Sequence, residues 1–460
     1  MTTHTFDYDL IVIGSGAGGS VAATIAAREG LRVAIVEESI LGGDSSNWGD
    51  VPTKALLHTA HLYDETKRGD RFGLRTTSLG YNYPSIRAWK EKVVKQTGVG
   101  DNKKFYEDQG ITVFMGKAHF LTPHEITVNR RHLSGHRFLI ATGSEWIAPN
   151  IQGLSDVTYF TPRTILETIR PPKSLAILGG SRYGVEIADL MAIFGTKVYI
   201  IEEKSRLLPE FEKEVGDYMS AVLGARKEIT VLTGSRTLSV SKEGASHRVL
   251  FTRGGAQKHV KVDAIMIATD YRPNVDIGLN NALVKYSEDG IPTDKYLRTN
   301  VKHIYAAGDV LGKRQDTHAA LIESRVAAHN IIGAATMVPD YVAMPKVVFS
   351  SPEVAQVGLT EQEARRTHSH VRRAVTPLHI VARSNVSGQK DGFIKLVADK
   401  QGVIIGGVVV GPHATEIIHE ISLAVRYRLT AQQLATTPHV FLSWAEAMRV
   451  TAQKIIGANS

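Results

Sequence analysis

The feature that most constrains this chain is a glycine pattern between a buried strand and a helix. Residues 8–13, YDLIVI, form the largely apolar run of a buried strand, and Gly14, Gly16 and Gly19 follow at the spacing G-x-G-x-x-G. The first glycine allows a tight turn, the second lets a phosphate approach the backbone, and the third lets the helix pack on the strand. The pattern therefore predicts a helix N-terminus that binds the pyrophosphate of a dinucleotide.

A second strand and an acidic residue complete this unit. The run LRVAIVE is typical of a buried strand, and Glu37 stands at its end, 23 residues after Gly14. A carboxylate at that place accepts hydrogen bonds from ribose hydroxyls. The order of strand, glycine pattern, helix, strand and acid predicts a dinucleotide-binding domain.

An altered copy of the pattern occurs near the middle of the chain. The apolar run SLAIL precedes Gly179, Ser181 and Gly184, and the next strand ends at Glu202. Ser181 occupies the middle glycine position, where it would either crowd a phosphate or hydrogen-bond it, and Arg182 offers a further phosphate contact. Glu202 favours NADH over NADPH, because a carboxylate accepts from a 2'-hydroxyl and repels a 2'-phosphate; the basic residues soon after it keep NADPH open. These residues are consistent with a functional nicotinamide site and with a vestigial one, and we favour the functional site.

The composition limits the number of domains, the chemistry and the partners that this chain can have. The chain has 460 residues, too many for one hydrophobic core, and no cysteine, so disulfides, thiolate metal ligands and thiol nucleophiles are excluded and no metal site is predicted. The net charge of +8 would suit an acidic protein partner, although a solvated basic surface is the plainer interpretation; no nucleic-acid partner is predicted. No apolar run approaches the roughly 20 residues of a membrane span, and residues 1–10 lack the features of a signal peptide. We expect a cytoplasmic protein without membrane insertion.

Further motifs follow in a fixed order: GGDSSNWGDVPTK (42–54), IATGS (140–144), ATDYRPN (268–274), YAAGDV (305–310) and PKVVFSSPEVAQVGL (345–359). Together with the two glycine patterns, they resemble the pyridine nucleotide–disulfide oxidoreductases over nearly the whole chain. The resemblance implies an α/β fold with two Rossmann-like dinucleotide-binding domains, one for FAD and one for NAD(P), and a C-terminal α+β dimerisation domain. It also implies a homodimer.

The resemblance predicts domain boundaries and cofactor contacts. The first part of the FAD domain would span 1–150, the NAD(P) domain 151–275, the second part of the FAD domain 276–340 and the dimerisation domain 341–460. The residues expected to contact FAD are Gly14, Gly16, Gly19, Glu37, Gly43, Lys54, Ala118, Thr142, Gly143, Gly308, Asp309 and His318. Those expected to contact the nicotinamide dinucleotide are Gly179, Ser181, Gly184, Glu202 and Asp270.

The chain departs from the family where disulfide chemistry takes place. Family reductases have two cysteines in the first motif; here Ser45 stands at the substrate-side position and Asp50 at the flavin-side position. In the C-terminal segment ATTPHVFLSWAEA, ungapped comparison puts His439 at the first family histidine, Phe441 at the catalytic histidine and Glu446 at its acidic partner. Phenylalanine neither holds a proton nor stabilises a thiolate, so disulfide reduction is not the expected reaction.

Other family residues are retained. Lys54 matches the lysine beside the reactive edge of the flavin, and Glu186 matches the acid that pairs with it, which favours a flavin still reduced by a nicotinamide. Asp50 has two interpretations: a group with a raised pKa that gives a proton to the reduced flavin or accepts one from it, or an ionised residue hydrogen-bonded to Thr53 or to a backbone N–H. Lys54, Glu186 and Asp50 are the predicted catalytic residues. Asp270 replaces a family glycine near the nicotinamide and, with Ser181, indicates a weakened or altered site.

Two functions follow from these features. In the first, NAD(P)H reduces FAD, and the flavin passes electrons directly to a small acceptor such as a quinone or oxygen. Phe441 and Leu442 would give an apolar surface for a flat acceptor, and Trp48 a stacking surface, although packing alone is the plainer role of each. In the second, an FAD-binding protein with a weakened nicotinamide site acts as a redox-sensing or interaction subunit.

Overall fold

The computed structural model describes residues 5–75, 77–97 and 102–457, with only the backbone described at Asp270. The described residues form two compact units. The first comprises those within 1–55, 84–148 and 270–340, and the second those within 56–83, 149–269 and 341–460.

The strands, in chain order, are β1 (Tyr8–Ile13), β2 (Val33–Glu37), β3 (Ile111–Met115), β4 (Ala118–Thr122), β5 (Glu125–Val128), β6 (Arg131–Ile140), β7 (Ser144–Ile147), β8 (Ser174–Leu178), β9 (Lys197–Ile201), β10 (Ile229–Leu232), β11 (Ser235–Glu243), β12 (Ser246–Arg253), β13 (Ala256–Val262), β14 (Ala264–Ile267), β15 (Asp270–Pro273), β16 (Ile304–Ala306), β17 (Lys346–Val348), β18 (Glu353–Gly358), β19 (Val371–Pro377), β20 (Phe393–Asp399) and β21 (Ile404–Gly411).

The α-helices are α1 (Ala17–Arg28), α2 (Gly43–Asn47), α3 (Asp50–Lys67), α4 (Tyr83–Thr97), α5 (Lys103–Glu107), α6 (Arg182–Ile193), α7 (Lys213–Gly224), α8 (Thr317–Ile332), α9 (Glu361–Thr367), α10 (Ala382–Ser387), α11 (Ala414–Arg426), α12 (Ala431–Thr436) and α13 (Glu446–Gly457). Short 3₁₀ turns join several of them.

The first unit is built on a seven-stranded sheet. Strands β3, β2, β1 and β6 are parallel neighbours, β16 pairs in parallel with β6, and β5 and β4 continue from β6 as antiparallel strands. Ile11 lies opposite Ala34 in β2 and Phe138 in β6, and all three side chains are buried. Central parallel strands are covered on both faces, which explains why their sequences are continuous apolar runs.

Small residues allow close helix packing in this unit. Helices α1 and α8 pack against each other, and the amide of Ala22 in α1 donates a hydrogen bond of 2.9 Å to the hydroxyl of Ser324 in α8. Both residues are fully buried. The alanine- and glycine-rich sequence of α1 therefore positions the helix that follows the first glycine pattern.

The second unit contains three sheets. Strands β10, β9, β8 and β14 form a parallel sheet, and β11, β12 and β13 form an antiparallel sheet inserted in sequence between β10 and β14. The C-terminal strands form an antiparallel sheet in the order β17-β18-β21-β20-β19. Two glycine-pattern sheets and a C-terminal α+β region confirm the predicted fold class.

A buried ionic network occurs within the second unit. Asp189 in α6 is fully buried and accepts hydrogen bonds from His61 Nε2 at 2.8 Å, from the amide of Ser351 at 2.9 Å and from the guanidinium of Arg226. Burial works to raise the pKa of Asp189, but His61 and Arg226 outweigh it and hold that pKa below its ordinary value. Burial works to lower the pKa of His61, but Asp189 outweighs it and holds that pKa above its ordinary value.

Candidate functional site

The first glycine pattern lies at the junction of β1 and α1. Gly14 has φ of +103°, a conformation that favours glycine, and Gly16 caps the N-terminus of α1. A Cβ on Gly19 would overlap the carbonyl oxygen of Gly14, so the packing of the protein itself requires that glycine. A Cβ on Gly16 would meet only the Cα of Gly43, at 3.6 Å. The space at Gly16 is therefore left for something other than protein, as a bound pyrophosphate requires.

Glu37 holds the loop of this pattern in place. Its Oε2 accepts from the amide of Ser15 at 3.0 Å and from the Ser15 hydroxyl at 2.6 Å, while its Oε1 accepts from the amide of Ser39 at 2.9 Å. The Ser15 hydroxyl in turn accepts from the amide of Gly42 at 3.0 Å. A carboxylate has about four acceptor sites, so Glu37 keeps capacity for a ribose hydroxyl.

The second glycine pattern has the same backbone geometry. Gly179 has φ of +113°, and a Cβ on Gly184 would overlap the carbonyl oxygen of Gly179. Ser181 caps the N-terminus of α6, and its hydroxyl donates to the carbonyl oxygen of Ala268 at 2.8 Å. Because the Ser181 hydroxyl donates its proton to this backbone carbonyl, it does not donate a hydrogen bond to a phosphate.

Glu202 repeats the arrangement of Glu37. Its Oε2 accepts from the amide of Gly180 and its Oε1 from the amide of Lys204, both at 2.6 Å. Each acid thus binds the amide that follows the first glycine of its pattern and the amide two residues after itself. Because Glu202 has two of these bonds and Glu37 three, Glu202 has the larger remaining capacity for ribose hydroxyls.

Arg182 begins α6 directly after Ser181. Its guanidinium lies over the ring of Tyr183, 4.7 Å from the ring centroid, and donates to the Tyr183 hydroxyl at 2.8 Å. Burial raises the pKa of the nearby Glu210 carboxyl although the Arg182 charge opposes that rise. The structure therefore places a positive side chain in the first turn of α6, where a phosphate contact was predicted.

The two residues at the family's cysteine positions are hydrogen-bonded to each other. Ser45 Oγ donates to Asp50 Oδ2 at 2.8 Å, and Thr317 Oγ1 donates to the same oxygen at 2.6 Å. The ammonium of Lys54, one helical turn along α3, donates to Asp50 Oδ1 at 3.2 Å. Asp50 thus accepts two hydroxyl protons on one oxygen and an ammonium proton on the other.

These contacts decide the ionisation of Asp50. Burial works to raise the pKa of Asp50, but the Lys54 charge and the hydrogen bonds from Thr317, Ser45 and Lys54 together hold that pKa below its ordinary value of 3.8. The carboxyl group is therefore ionised at neutral pH. Of the two sequence interpretations, the structure agrees with the ionised residue, and a raised pKa is wrong. The expected Thr53 partner is also wrong, because the Thr53 hydroxyl donates to the carbonyl oxygen of Gly49 at 2.6 Å.

Lys54 and Glu186 are described in different units. Glu186 in α6 is buried, with 3% of its surface exposed, and its Oε1 accepts from the amide of Phe349 at 2.9 Å. Lys54 has Asp50 as an ion-pair partner. The predicted pairing of Lys54 with Glu186 stays a prediction.

Several predicted FAD contacts lie together at the carboxyl ends of β6 and β16. Thr142 Oγ1 donates to the carbonyl oxygen of Asn274 at 2.6 Å, and the amide of Asn274 donates to the carbonyl oxygen of Gly143 at 2.9 Å. Asp309, after β16, accepts from the hydroxyl of Ser144 at 2.8 Å. This edge of the sheet is where parallel α/β folds bind ligands.

The remaining predicted contacts lie on neighbouring elements. Ala118 is the buried first residue of β4, opposite Val128, and His318 is the second residue of α8, adjacent to Thr317. The amide of Gly308 donates to a buried carboxylate, that of Glu323, at 2.7 Å. Asp270 begins β15, but its side chain lies outside the described part of the chain.

The C-terminal segment that replaces the family's histidine motif is largely exposed. Phe441 is 71% exposed, and Leu442, at φ of +64°, is 38% exposed. His439 Nε2 is 2.8 Å from Glu420 Oε1, and its Nδ1 is 2.8 Å from the carbonyl oxygen of Thr437. One ring nitrogen of this histidine therefore binds within the segment and the other binds α11, while the three apolar side chains directly after it, Val440, Phe441 and Leu442, are exposed.

Sequence reasoning missed three residues that shape the sites. Ser15 ties Glu37 to the first glycine loop, Thr317 ties α8 to Asp50, and Glu323 ties α8 to Gly308. Ser15 had a usable signal, because a hydroxyl inside a glycine pattern is positioned to bond the distal acid. Thr317 and Glu323 gave none, since their partners are brought close only by the packing of α8.

Similarity to known proteins agrees with this geometry. Residues 8–324 match the family described as pyridine nucleotide-disulphide oxidoreductase, and residues 344–452 match its dimerisation domain. The chain is 33% identical over 458 residues to a dihydrolipoyl dehydrogenase of Bacillus subtilis, covering 98% of this chain and 97% of that protein. It is 32% identical over 448 residues to a mercuric reductase of Bacillus cereus, covering 97% and 71%.

A solved structure has the same fold. The HOCl-induced flavoprotein disulfide reductase RclA of Escherichia coli superposes with a TM-score of 0.86 at 26% identity, covering 97% of this chain and 99% of that chain. The fold and the two glycine-pattern sites define a flavin- and nicotinamide-binding oxidoreductase class. The chain belongs to the pyridine nucleotide-disulphide oxidoreductase family, whose members depend on FAD and use NAD(P)H.

The residues present fit FAD. The room at Gly16, the N-terminus of α1 and the spare acceptor capacity of Glu37 match a pyrophosphate joined to a ribose. In the described residues no group of three or more His, Asp or Glu side chains is arranged to hold a metal ion. None of the helices within the described ranges is long and apolar enough to cross a membrane.

Proposed function

We propose that this protein is a thiol-independent NAD(P)H oxidoreductase that passes electrons from FAD directly to a non-disulfide acceptor. The observation that carries the proposal is the Ser45–Asp50 hydrogen bond beside Lys54. Where family reductases exchange electrons through two sulfur atoms, this chain has a hydroxyl and an ionised carboxylate, and neither can form or break a disulfide. Electrons therefore leave the flavin without a thiol relay.

Lys54 is the residue we assign to the reducing step. FAD, when bound, supplies the acceptor for a hydride and the donor for the next electron transfer. An ammonium beside the flavin stabilises the negative charge that arrives with the hydride, and Asp50 fixes the position of that ammonium through its Oδ1. The pairing with Glu186 that the sequence predicts would restrict the position of the Lys54 ammonium further.

NADH is the donor we favour. Glu202 has both oxygens anchored by backbone amides, so its charge is fixed at the end of β9, where a ribose 2'-hydroxyl would bind. A 2'-phosphate at that place would meet a fixed negative charge. Arg182 supplies a positive group for the pyrophosphate, since the Ser181 hydroxyl proton is directed at Ala268.

The proposed acceptor is a quinone or oxygen. Phe441 and Leu442 expose apolar surface in the segment that replaces the catalytic histidine of the family. In a homodimer, which the match to the dimerisation domain supports, such a segment would offer an apolar face to a flat aromatic acceptor. Trp48 is the residue we assign as an additional stacking surface.

A second candidate is an FAD-binding subunit with a nicotinamide site too weak for turnover. Ser181 favours it, because a Cβ stands where the first pattern has the open space of Gly16. The subunit would bind FAD and act in redox sensing or through its interactions. The retained Lys54 and Glu186 argue against it.

Anaerobic stopped-flow measurement of flavin absorbance distinguishes the two. The purified holoprotein is mixed with NADH and, separately, with NADPH. We expect rapid bleaching by NADH, slower bleaching by NADPH, and reoxidation by a benzoquinone or oxygen but not by lipoamide or oxidised glutathione. Absence of bleaching by either nucleotide would refute the oxidoreductase proposal in favour of the binding subunit, and turnover with a disulfide would refute the thiol-independent route.

A further inference from the structure

One sheet carries an excess of positive charge. Between Ser235 and Val262, which covers β11, β12 and β13, there are six Lys or Arg residues and one Glu, a net of +5 out of +8 for the whole chain. The sequence shows no Lys/Arg block there, because the cations are spread over three strands. The antiparallel pairing brings three of them, Arg236, Arg248 and Lys261, onto one face of the sheet, while the other three occupy the alternate positions.

The two faces of this sheet differ in character. Val240, Val249, Phe251 and Val262 are buried and form one face. The register places the alternate positions on the other face, and the charged or titratable residues there are Arg236, Glu243, Arg248, His259 and Lys261, all exposed. We call these five residues the basic face.

The basic face contains a like-charge pair. Arg248 in β12 lies directly opposite Lys261 in β13, and like charges in directly opposed positions destabilise a sheet. Lys261 is 3.2 Å from the carboxylate of Glu243, which lessens the repulsion. Among the described residues, however, neither Arg236 nor Arg248 has a carboxylate partner. Folding alone gives no reason for this arrangement.

We infer that the basic face is a docking surface for an acidic protein. The guanidinium groups of Arg236 and Arg248 have no carboxylate partners in the described part of the chain and can each bind a carboxylate in bidentate geometry. The negative charge of an acidic surface would also reduce the repulsion between Arg248 and Lys261. Charge complementarity of this kind raises the rate of association and selects the partner. The inference does not depend on the proposed electron acceptor.

An acidic protein fits the face better than a nucleic acid does. The outward positions of the three strands include no Phe, Tyr or Trp side chain on which a base could stack, because Phe251 points inward, and the only ring among them is the imidazole of His259. Glu243 stands within the face, and its carboxylate would repel a phosphate backbone while accepting a hydrogen bond from a protein donor. A mixture of unpaired arginines and one acid is typical of the rim of a protein interface.

The test measures binding of an acidic polypeptide to the holoprotein. Fluorescein-labelled poly-L-glutamate is titrated at low and at near-physiological salt, with a labelled DNA duplex of similar charge as the competing class. The face variant is Arg236→Gln, Arg248→Gln and Lys261→Gln combined. The matched control is Lys95→Gln, Lys104→Gln and Lys302→Gln combined, three exposed cations that belong to none of the three strands.

We expect the face variant to bind poly-L-glutamate at least about tenfold more weakly than wild type at low salt, with a shallower salt dependence. The control variant should bind like wild type. Unchanged FAD content and thermal stability in both variants show that the effect is at the surface. Equal weakening in the control, tighter binding of the DNA duplex, or no binding of poly-L-glutamate by wild type would each overturn the inference.

Discussion

Ser45 Oγ donates a hydrogen bond of 2.8 Å to Asp50 Oδ2, so the two positions that hold the redox cysteines of the family are joined by a hydrogen bond instead. Asp50 accepts a further hydroxyl proton from Thr317 and an ammonium proton from Lys54. Where family reductases have two sulfur atoms, this site has a hydroxyl and a negative charge joined by a hydrogen bond.

Asp50→Asn should raise the reduction potential of the bound flavin. Removing the negative charge of Asp50 lowers the electrostatic cost of adding electrons to the flavin. Each ~1.4 kcal/mol by which this cost falls raises the potential of a two-electron couple by about 30 mV. A dye-linked anaerobic potentiometric titration measures the change. Ser45→Ala is the control, since it removes a hydrogen bond but keeps the charge, and its shift should be smaller. Equal potentials in wild type and Asp50→Asn would show that the carboxylate does not act on the flavin.

Lys54→Met should slow flavin reduction by NADH about 100-fold while FAD stays bound, because one preorganised charge in such a site contributes a factor of this order. Single-turnover stopped-flow measurement gives the rate, and the flavin spectrum gives the FAD content. Lys54→Arg keeps the positive charge and should retain more of the rate. A wild-type rate in Lys54→Met would remove the role assigned to this lysine.

Gly16→Val should abolish FAD binding without unfolding the protein. The protein leaves room for a side chain at Gly16, where a Cβ meets only Gly43 Cα at 3.6 Å, so the methyl groups would occupy the space of the pyrophosphate. The absorbance spectrum reports the flavin, and circular dichroism reports the fold. Gly19→Ala is the contrasting variant: its Cβ would overlap Gly14, so it should lose the fold as well. Stoichiometric FAD in Gly16→Val would disprove the assignment of the first site.

Ser45→Cys combined with Asp50→Cys should not restore reduction of lipoamide or glutathione. The two thiols would stand where the family has them, but Phe441 still occupies the position of the acid–base histidine and cannot transfer a proton. Steady-state assays with both disulfides measure the outcome, and quantification of free thiols shows whether the new cysteines are reduced. Appreciable disulfide turnover would mean that the histidine matters less than assigned.

His61→Gln should destabilise the second unit more at pH 6 than at pH 9. The pKa of His61 is raised in the folded protein by Asp189, so its stabilising contribution is complete below the ordinary value of 6.5 and is lost as pH rises through the folded pKa. A hydrogen bond between charged groups contributes about 1.5–3 kcal/mol. Urea unfolding at the two pH values gives the free energy of unfolding, and His58→Gln on the same helix is the control. Equal losses at both pH values would contradict the charged pair.

Asp189 has the opposite pH dependence. Its pKa is lowered by His61 and Arg226, so its contribution is complete above the ordinary value of 3.8 and is lost as pH falls through the folded pKa. Stability of the second unit should therefore decline as pH falls below the ordinary value of 3.8, and the loss is complete once pH is below the folded pKa. The stabilising contribution of this network is therefore greatest between the two ordinary values, 3.8 and 6.5.

The sequence by itself determined the fold class and both nucleotide patterns. Gly14 and Gly179 adopt positive φ as expected, Glu37 ends β2, and Glu202 directly follows the last residue of β9. These features are local, because the apolar period, the glycine positions and the distance to the acid are all set within about 25 residues of chain. The absence of cysteine likewise excluded thiol chemistry without any coordinates.

Only the tertiary structure decided the ionisation of Asp50 and the location of the excess positive charge. Thr317, 267 residues away in sequence, lowers the pKa of Asp50 together with Lys54, and no local pattern relates the two positions. Arg248 and Lys261 become neighbours through strand register rather than through a run of basic residues. A pKa and a surface potential depend on distances between groups far apart in the chain, and folding alone fixes those distances.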